Sequence, residues 1–186
     1  MLQKILYLFL FFYSFNVAAD DTILKLYRPY GDVENQIAPQ VKKTFRGECY
    51  SQSRLIVRED AWRCMASGKT YDPCFVKSGP NRTTALCPQS PWVGDSVQIM
   101  VKLPLNNEQN KTLDMSRTYP WAIELTNGEH CQAINSGKRY DKMPVRYKCG
   151  KKNYLVGHLQ RCKAIWSILE KTSSGVVTVE ISKAWF

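Results

Sequence analysis

Ser96-Val97-Gln98-Ile99-Met100-Val101-Lys102-Leu103 alternates polar and apolar residues, the period of a strand with one buried face. Trp121-Ala122-Ile123-Glu124-Leu125 runs into Asn127-Gly128, and Glu129 to Ile134 returns. Both turn residues tolerate positive φ, so this stretch predicts a hairpin. A second hairpin is predicted from Val145–Cys149 and Tyr154–Leu159 around Gly150-Lys151-Lys152-Asn153. A third comes from Ala164–Leu169 and Val176–Ile181 around Thr172-Ser173-Ser174-Gly175. Between Cys49 and Trp92 the chain is cut by Gly68, Pro73, Gly79-Pro80, Pro88 and Pro91, a density that favours short strands and turns. Ser53 to Val57 reads as one of those strands, and Ile23 to Tyr27 as an earlier one. Val33, Ile37, Val41 and Phe45 recur every four residues, which suggests a helical turn or two, interrupted by Pro39. The fold class expected is mainly β, a small antiparallel β sandwich or barrel over residues 48–186, with 20–47 as an N-terminal extension. Trp185-Phe186 resembles the closing aromatic of an outer-membrane strand. Stepping back by twos gives Ala184, Ser182, Glu180 and Thr178, which is not a lipid-facing series.

Residues 1–19 read as a signal peptide. Lys4 precedes the apolar run Ile5 to Tyr13, and Val17-Ala18-Ala19 supplies the small residues of a cleavage site. The run is shorter than the roughly 20 residues of a spanning helix. The expectation is a secreted or periplasmic protein with no integral membrane segment after cleavage. Export changes the meaning of the seven cysteines, because disulfides persist in oxidising compartments. No Cys-x-x-Cys occurs, so a disulfide framework is favoured over a metal site. Six cysteines allow 15 pairings. The local choice joins Cys49 to Cys64, Cys74 to Cys87 and Cys131 to Cys149. Cys162 is left over and is expected as a small buried hydrophobe, with an intermolecular bridge or a reactive thiol as alternatives.

Asp60-Ala61-Trp62-Arg63-Cys64, Asp72-Pro73-Cys74-Phe75 and Cys87-Pro88 are followed by Pro120-Trp121, Leu125, Asn127-Gly128, Cys131 and Tyr147-Lys148-Cys149. These blocks resemble segments of a family of exported bacterial proteins that has no assigned activity. The resemblance implies export and carries over no site residue. Cys162 and the N-terminal segment fall outside it. Asn135-Ser136-Gly137-Lys138-Arg139-Tyr140 and Tyr147-Lys148-Cys149-Gly150 are similar to stretches of periplasmic inhibitors of C-type lysozyme, in the opposite order. Those inhibitors are small barrels that insert a loop into the enzyme's cleft.

Charge adds the strongest chemical signal. The chain has 26 Lys+Arg against 16 Asp+Glu. Nine of the basic residues lie between Lys138 and Lys163, with Asp141 as the lone acid there. Tyr140, Tyr147 and Tyr154 are interleaved with them. A surface built from Lys138, Arg139, Lys142, Arg146, Lys148, Lys151 and Lys152 attracts polyanions by counterion release; the bland reading is a solvated face. The function expected is therefore a non-enzymatic binding protein. Its partners would be an anionic envelope polymer, a glycan, a membrane surface or another protein. The alternatives are an inhibitor of a secreted host enzyme such as lysozyme, and a small secreted hydrolase with an unrecognised site. For an enzyme, His158 with Cys162, Asp60 with Asp72, and Glu124 with Glu129 can be nominated. No spacing selects them, and no Gly-x-Ser-x-Gly, His-Glu-x-x-His or phosphate loop occurs. No metal and no organic cofactor is implied. Trp62, Trp92, Trp121, Trp166 and Trp185 read as core residues or as a sugar platform.

Overall fold

The computed structural model describes residues 21–30, 39–77, 79 and 82–186. Their strands sort into two closed rings, each with its own interior.

The first ring runs β2 (Gln40–Gln52), β3 (Ala61–Ala66), β4 (Lys69–Val76), β5 (Thr84–Pro88) and β6 (Asp95–Val101). Neighbours in the chain pair antiparallel, and β2 closes the ring by running parallel to β6. One long strand serves both partners. Gln40 to Gly47 pairs with β6, and Gly47 to Gln52 pairs with β3. At the changeover a Cβ on Gly47 would overlap the Met65 carbonyl oxygen and stand 2.8 Å from Ala66 Cβ. Only glycine fits there. Gly47→Ala is expected to cost about 2–3 kcal/mol, as overpacking against fixed backbone does. A urea midpoint unchanged from wild type would mean that β2 shifts freely at this crossing.

The second ring is an antiparallel meander of β7 (Ala122–Leu125), β8 (His130–Ala133), β10 (Met143–Cys149), β11 (Asn153–Gln160), β12 (Trp166–Lys171) and β13 (Val176–Trp185). Pairing of β13 with β7 closes it. A two-residue spur, β9 (Arg139–Tyr140), pairs with the start of β10. Next to β13, β1 (Ile23–Lys25) takes up the line that β12 leaves. Thr22 makes the join: its hydroxyl donates to Ile181 O at 2.6 Å and accepts from Trp166 N at 2.8 Å.

The rings are held together by an apolar junction. Ile56, Ala61 and Phe75 of the first ring belong to the same buried cluster as Trp121, Ile123 and Phe186. Tyr27 stands 5.3 Å from both Phe75 and Trp121, ring centre to ring centre. Arg58, 5% exposed, crosses this junction. It donates to Tyr27 O at 2.5 Å and Phe186 O at 3.1 Å, pairs with Asp60 at 2.6 Å, and lies over the Phe75 ring.

The disulfides join Cys49 to Cys64, Cys74 to Cys87 and Cys131 to Cys149. Each stitches two paired strands of one ring, β2–β3, β4–β5 and β8–β10. Cys162 is exposed in the turn between β11 and β12, not buried as expected. Lys163 and Ala164, which follow it, are exposed as well, so the turn offers the thiol no core.

The mainly β fold and the three C-terminal hairpins match the pattern along the chain. Two local readings change. Ser53 to Val57 is a loop, because the Ser53 hydroxyl takes the amides of Leu55 and Ile56 at 3.1 and 3.2 Å and bends the chain. Val41 and Phe45 lie in β2, not in a helix. A four-residue spacing keeps side chains on one face of a strand as well as of a helix, so the period alone was ambiguous. Val33 and Ile37, like the signal segment 1–19, lie outside the described residues. The N-terminal stretch 20–47 supplies β1 and the first half of β2, so the boundary drawn at residue 48 falls inside a strand. Among the described residues no helix is long and apolar enough to cross a membrane.

Candidate functional site

The basic segment begins where the chain leaves β8. Residues 134–138 cross in the open and are strapped to β10 at both ends: Ile134 N bonds Arg146 O at 2.9 Å, and Val145 N bonds Lys138 O at 3.0 Å. Gly137, at φ +64°, makes the left-handed bend between those straps. Along β10 the side chains then alternate. Tyr147 points into the ring and donates to Pro120 O at 2.8 Å, while Arg146 and Lys148 point outward. Full burial raises the Tyr147 phenol far above its ordinary pKa, so it stays a donor.

A second loop faces this one from the other ring. Asp72 holds it: Oδ1 accepts from the Ser53 hydroxyl at 2.5 Å and Oδ2 from Arg54 N at 3.1 Å. Burial raises the Asp72 pKa, opposed by the Ser53 and Arg54 bonds and by nearby Arg63. Arg54 and Leu55 thereby form one wall of a cleft of about 300 Å³. Tyr119, Ala133 to Arg139 and Pro144 to Tyr147 form the rest. Four cations, Arg54, Lys138, Arg139 and Arg146, line the cleft, and no carboxylate does.

Arg146 is fixed by an Nε bond to Gly157 O at 2.7 Å and by its stack 4.1 Å above Tyr119. Tyr119 is placed in turn by Arg161. That guanidinium donates to the carbonyls of Met115, Ser116 and Thr118 at 2.9, 2.6 and 2.6 Å and lies over Trp166. Arg161 is therefore committed to holding a loop.

The structure divides the seven basic residues named from sequence. Lys138, Arg139 and Arg146 meet in the cleft. Lys142 sits in the β9–β10 turn, where its carbonyl accepts from Arg139 Nη1 at 3.1 Å. Lys148 is exposed further along β10, and Lys151 and Lys152 form the turn after it. Asn153 pairs with Cys149, three residues along β10 from Arg146, so at about 3.3 Å per residue the turn that holds those two stands roughly 10–16 Å along the hairpin from Arg146. Arg54 and Tyr119 were not among the residues chosen from sequence, and Asp72 was named there only as a candidate acid beside Asp60. No spacing signals Arg54, and neither the acid pairing with Asp60 nor the Asp72-Pro73-Cys74-Phe75 block pointed to the loop-holding role of Asp72.

The nominated acid pairs have other partners. Asp60 binds Arg58, and Asp72 binds the Ser53–Arg54 loop. Glu124 takes Lys183 Nζ at 2.8 Å and His130 Nε2 at 3.2 Å. Burial alone would raise the Glu124 pKa, but those two bonds outweigh it and hold it below its ordinary value. Glu129 bonds Asn153. His130 stacks on Trp92 at 4.2 Å, and His158 meets the Tyr119 hydroxyl at 3.3 Å. Trp62, Trp121 and Trp185 are buried, which fits the core reading for these three. Among the described residues no three His, Cys, Asp or Glu side chains group as a metal site. Compared with known protein families, curated proteins and solved structures, the chain finds no match.

Asp72→Ala separates two accounts of the cleft. Removing a negative charge next to the Arg54 wall would tighten anion binding by Coulomb attraction alone. If Asp72 instead positions Arg54, anion affinity falls several-fold and stability drops by about 1–3 kcal/mol, the cost of stranding the Ser53 hydroxyl and Arg54 N–H. The second result is expected. Titration with dextran sulfate, with a urea melt alongside, checks it.

Proposed function

We propose that this chain is a secreted or periplasmic, non-enzymatic binding protein that takes an anionic envelope polymer or glycan in the cleft between its rings. The observation that carries this reading is the convergence of Arg54 from one ring with Lys138, Arg139 and Arg146 from the other, with no acid among them. Guanidinium groups match carboxylate, sulfate and phosphate oxygens in paired hydrogen bonds. Export is supported by Lys4, the apolar run Ile5 to Tyr13 and Val17-Ala18-Ala19. The three disulfides are compatible with an oxidising compartment.

The test compares two variants with the same change in charge. Arg54→Glu/Lys138→Glu reverses opposite walls of the cleft, and Lys151→Glu/Lys152→Glu reverses the hairpin turn. The cleft variant is expected to bind dextran sulfate at least tenfold more weakly at low salt. The hairpin variant should lose less than threefold. Equal losses would place binding on the whole basic face. No binding by the wild-type chain would remove the polyanion reading and favour a protein partner.

A further inference from the structure

We infer that the cleft recognises a single oxyanion-bearing, hexose-sized unit, a phosphorylated sugar or a uronate, and not a length of polymer chain. This inference rests on the anionic-ligand reading above and narrows it.

Size is the first argument. A volume of about 300 Å³ lies at the lower end of small-molecule sites, room for one ring and its anionic group. Rigidity is the second. The Asp72 clamp sets the Arg54 wall, and the Ile134 and Val145 straps set the opposite one. The cleft is thus formed before a ligand arrives, which spares the ordering cost that a small ligand cannot offset.

The lining chemistry is the third argument. Arg146 has its Nε committed to Gly157 O and its plane held over Tyr119. Its two terminal nitrogens remain for a ligand, in the fork that carboxylate and phosphate accept. Arg54 adds a guanidinium from the other ring and Lys138 a point charge. Leu55, Ala133, Ile134, Pro144 and Val145 supply apolar wall beside these cations. A bare inorganic anion would leave that wall uncovered. A sugar ring presents C–H faces to it while its charged substituent meets the arginines.

The test is calorimetric titration of the full chain with glucose 6-phosphate, glucuronate, glucose and inorganic phosphate, each repeated as a competitor of bound dextran sulfate. One of the two sugar anions is expected to bind one-to-one and to displace the polymer completely. Which of them does so identifies the oxyanion. Inorganic phosphate should bind at least tenfold more weakly, and glucose should not bind. Arg54→Glu/Lys138→Glu should abolish the sugar-anion signal. If dextran sulfate binds through the cleft and neither sugar anion competes, the cleft reads chain length; this inference fails while the proposed function stands. If inorganic phosphate equals the sugar anions, the site holds an ion alone and the inference also fails. If neither dextran sulfate nor either sugar anion binds, both readings fall together.

Discussion

Replacing Arg58 with alanine is expected to lower stability by about 3–5 kcal/mol, the range for removing one partner from a buried, hydrogen-bonded ion pair. Its side chain is 6% exposed and its partner Asp60 19%. The change strands the Asp60 carboxylate and takes a donor from the carbonyls of Tyr27 and Phe186. It also empties the space above Phe75. Those carbonyls belong to the strand ends that flank the second ring, whereas Arg58 comes from a loop of the first. The loss should therefore fall on the junction, and urea unfolding should broaden or split into two transitions. Asp60→Ala is expected to cost less, because Arg58 keeps its bonds to the Tyr27 and Phe186 carbonyls and its place over Phe75. The double variant should cost less than the two single losses combined, since the groups share one network. A decrease below about 1 kcal/mol for Arg58→Ala would show that apolar contact alone joins the rings.

The second large effect is expected from the pair Cys131→Ala/Cys149→Ala. Both sulfurs are buried, and the bond closes 18 residues of sequence between β8 and β10. Loop entropy of this size is worth about 3 kcal/mol, and losses of about 2–5 kcal/mol are usual for small exported domains. The same stretch contains residues 134–138 and Lys138, so loosening it should weaken the cleft as well as the ring. The measurement belongs in a Cys162→Ala background, because the exposed Cys162 thiol can exchange with a remaining disulfide once the chain unfolds. Cys162→Ala alone should change stability by less than about 0.5 kcal/mol, as exposed substitutions do. A melt unchanged by loss of the Cys131–Cys149 bond would mean that strand pairing closes the second ring unaided.

Legibility along the chain followed distance. The hairpin at Asn127-Gly128 was readable because turn chemistry and strand alternation are carried by adjacent residues. The local disulfide pairing followed the same logic, for each bridge joins neighbouring strands whose cysteines are 13 to 18 residues apart. The cleft was readable only in part. Lys138, Arg139 and Arg146 stood out in a basic run, but so did Lys148, Lys151 and Lys152, and charge density cannot tell a wall of a cleft from a solvated turn. Arg161 belonged to the same run and is consumed by three carbonyls.

What the sequence by itself determined is what short range decides: strand alternation, turn positions, neighbouring cysteine pairs and the concentration of positive charge. The tertiary structure alone decided which strand edges meet across long gaps, β2 with β6 and β7 with β13. Closing two rings leaves few free edges and turns one mainly β chain into two barrels with a shared junction. That junction brings Arg54 to Arg146 and buries Arg58 against Phe186. No local pattern encodes such contacts, because each depends on two surfaces that acquire their shape only after both rings have closed.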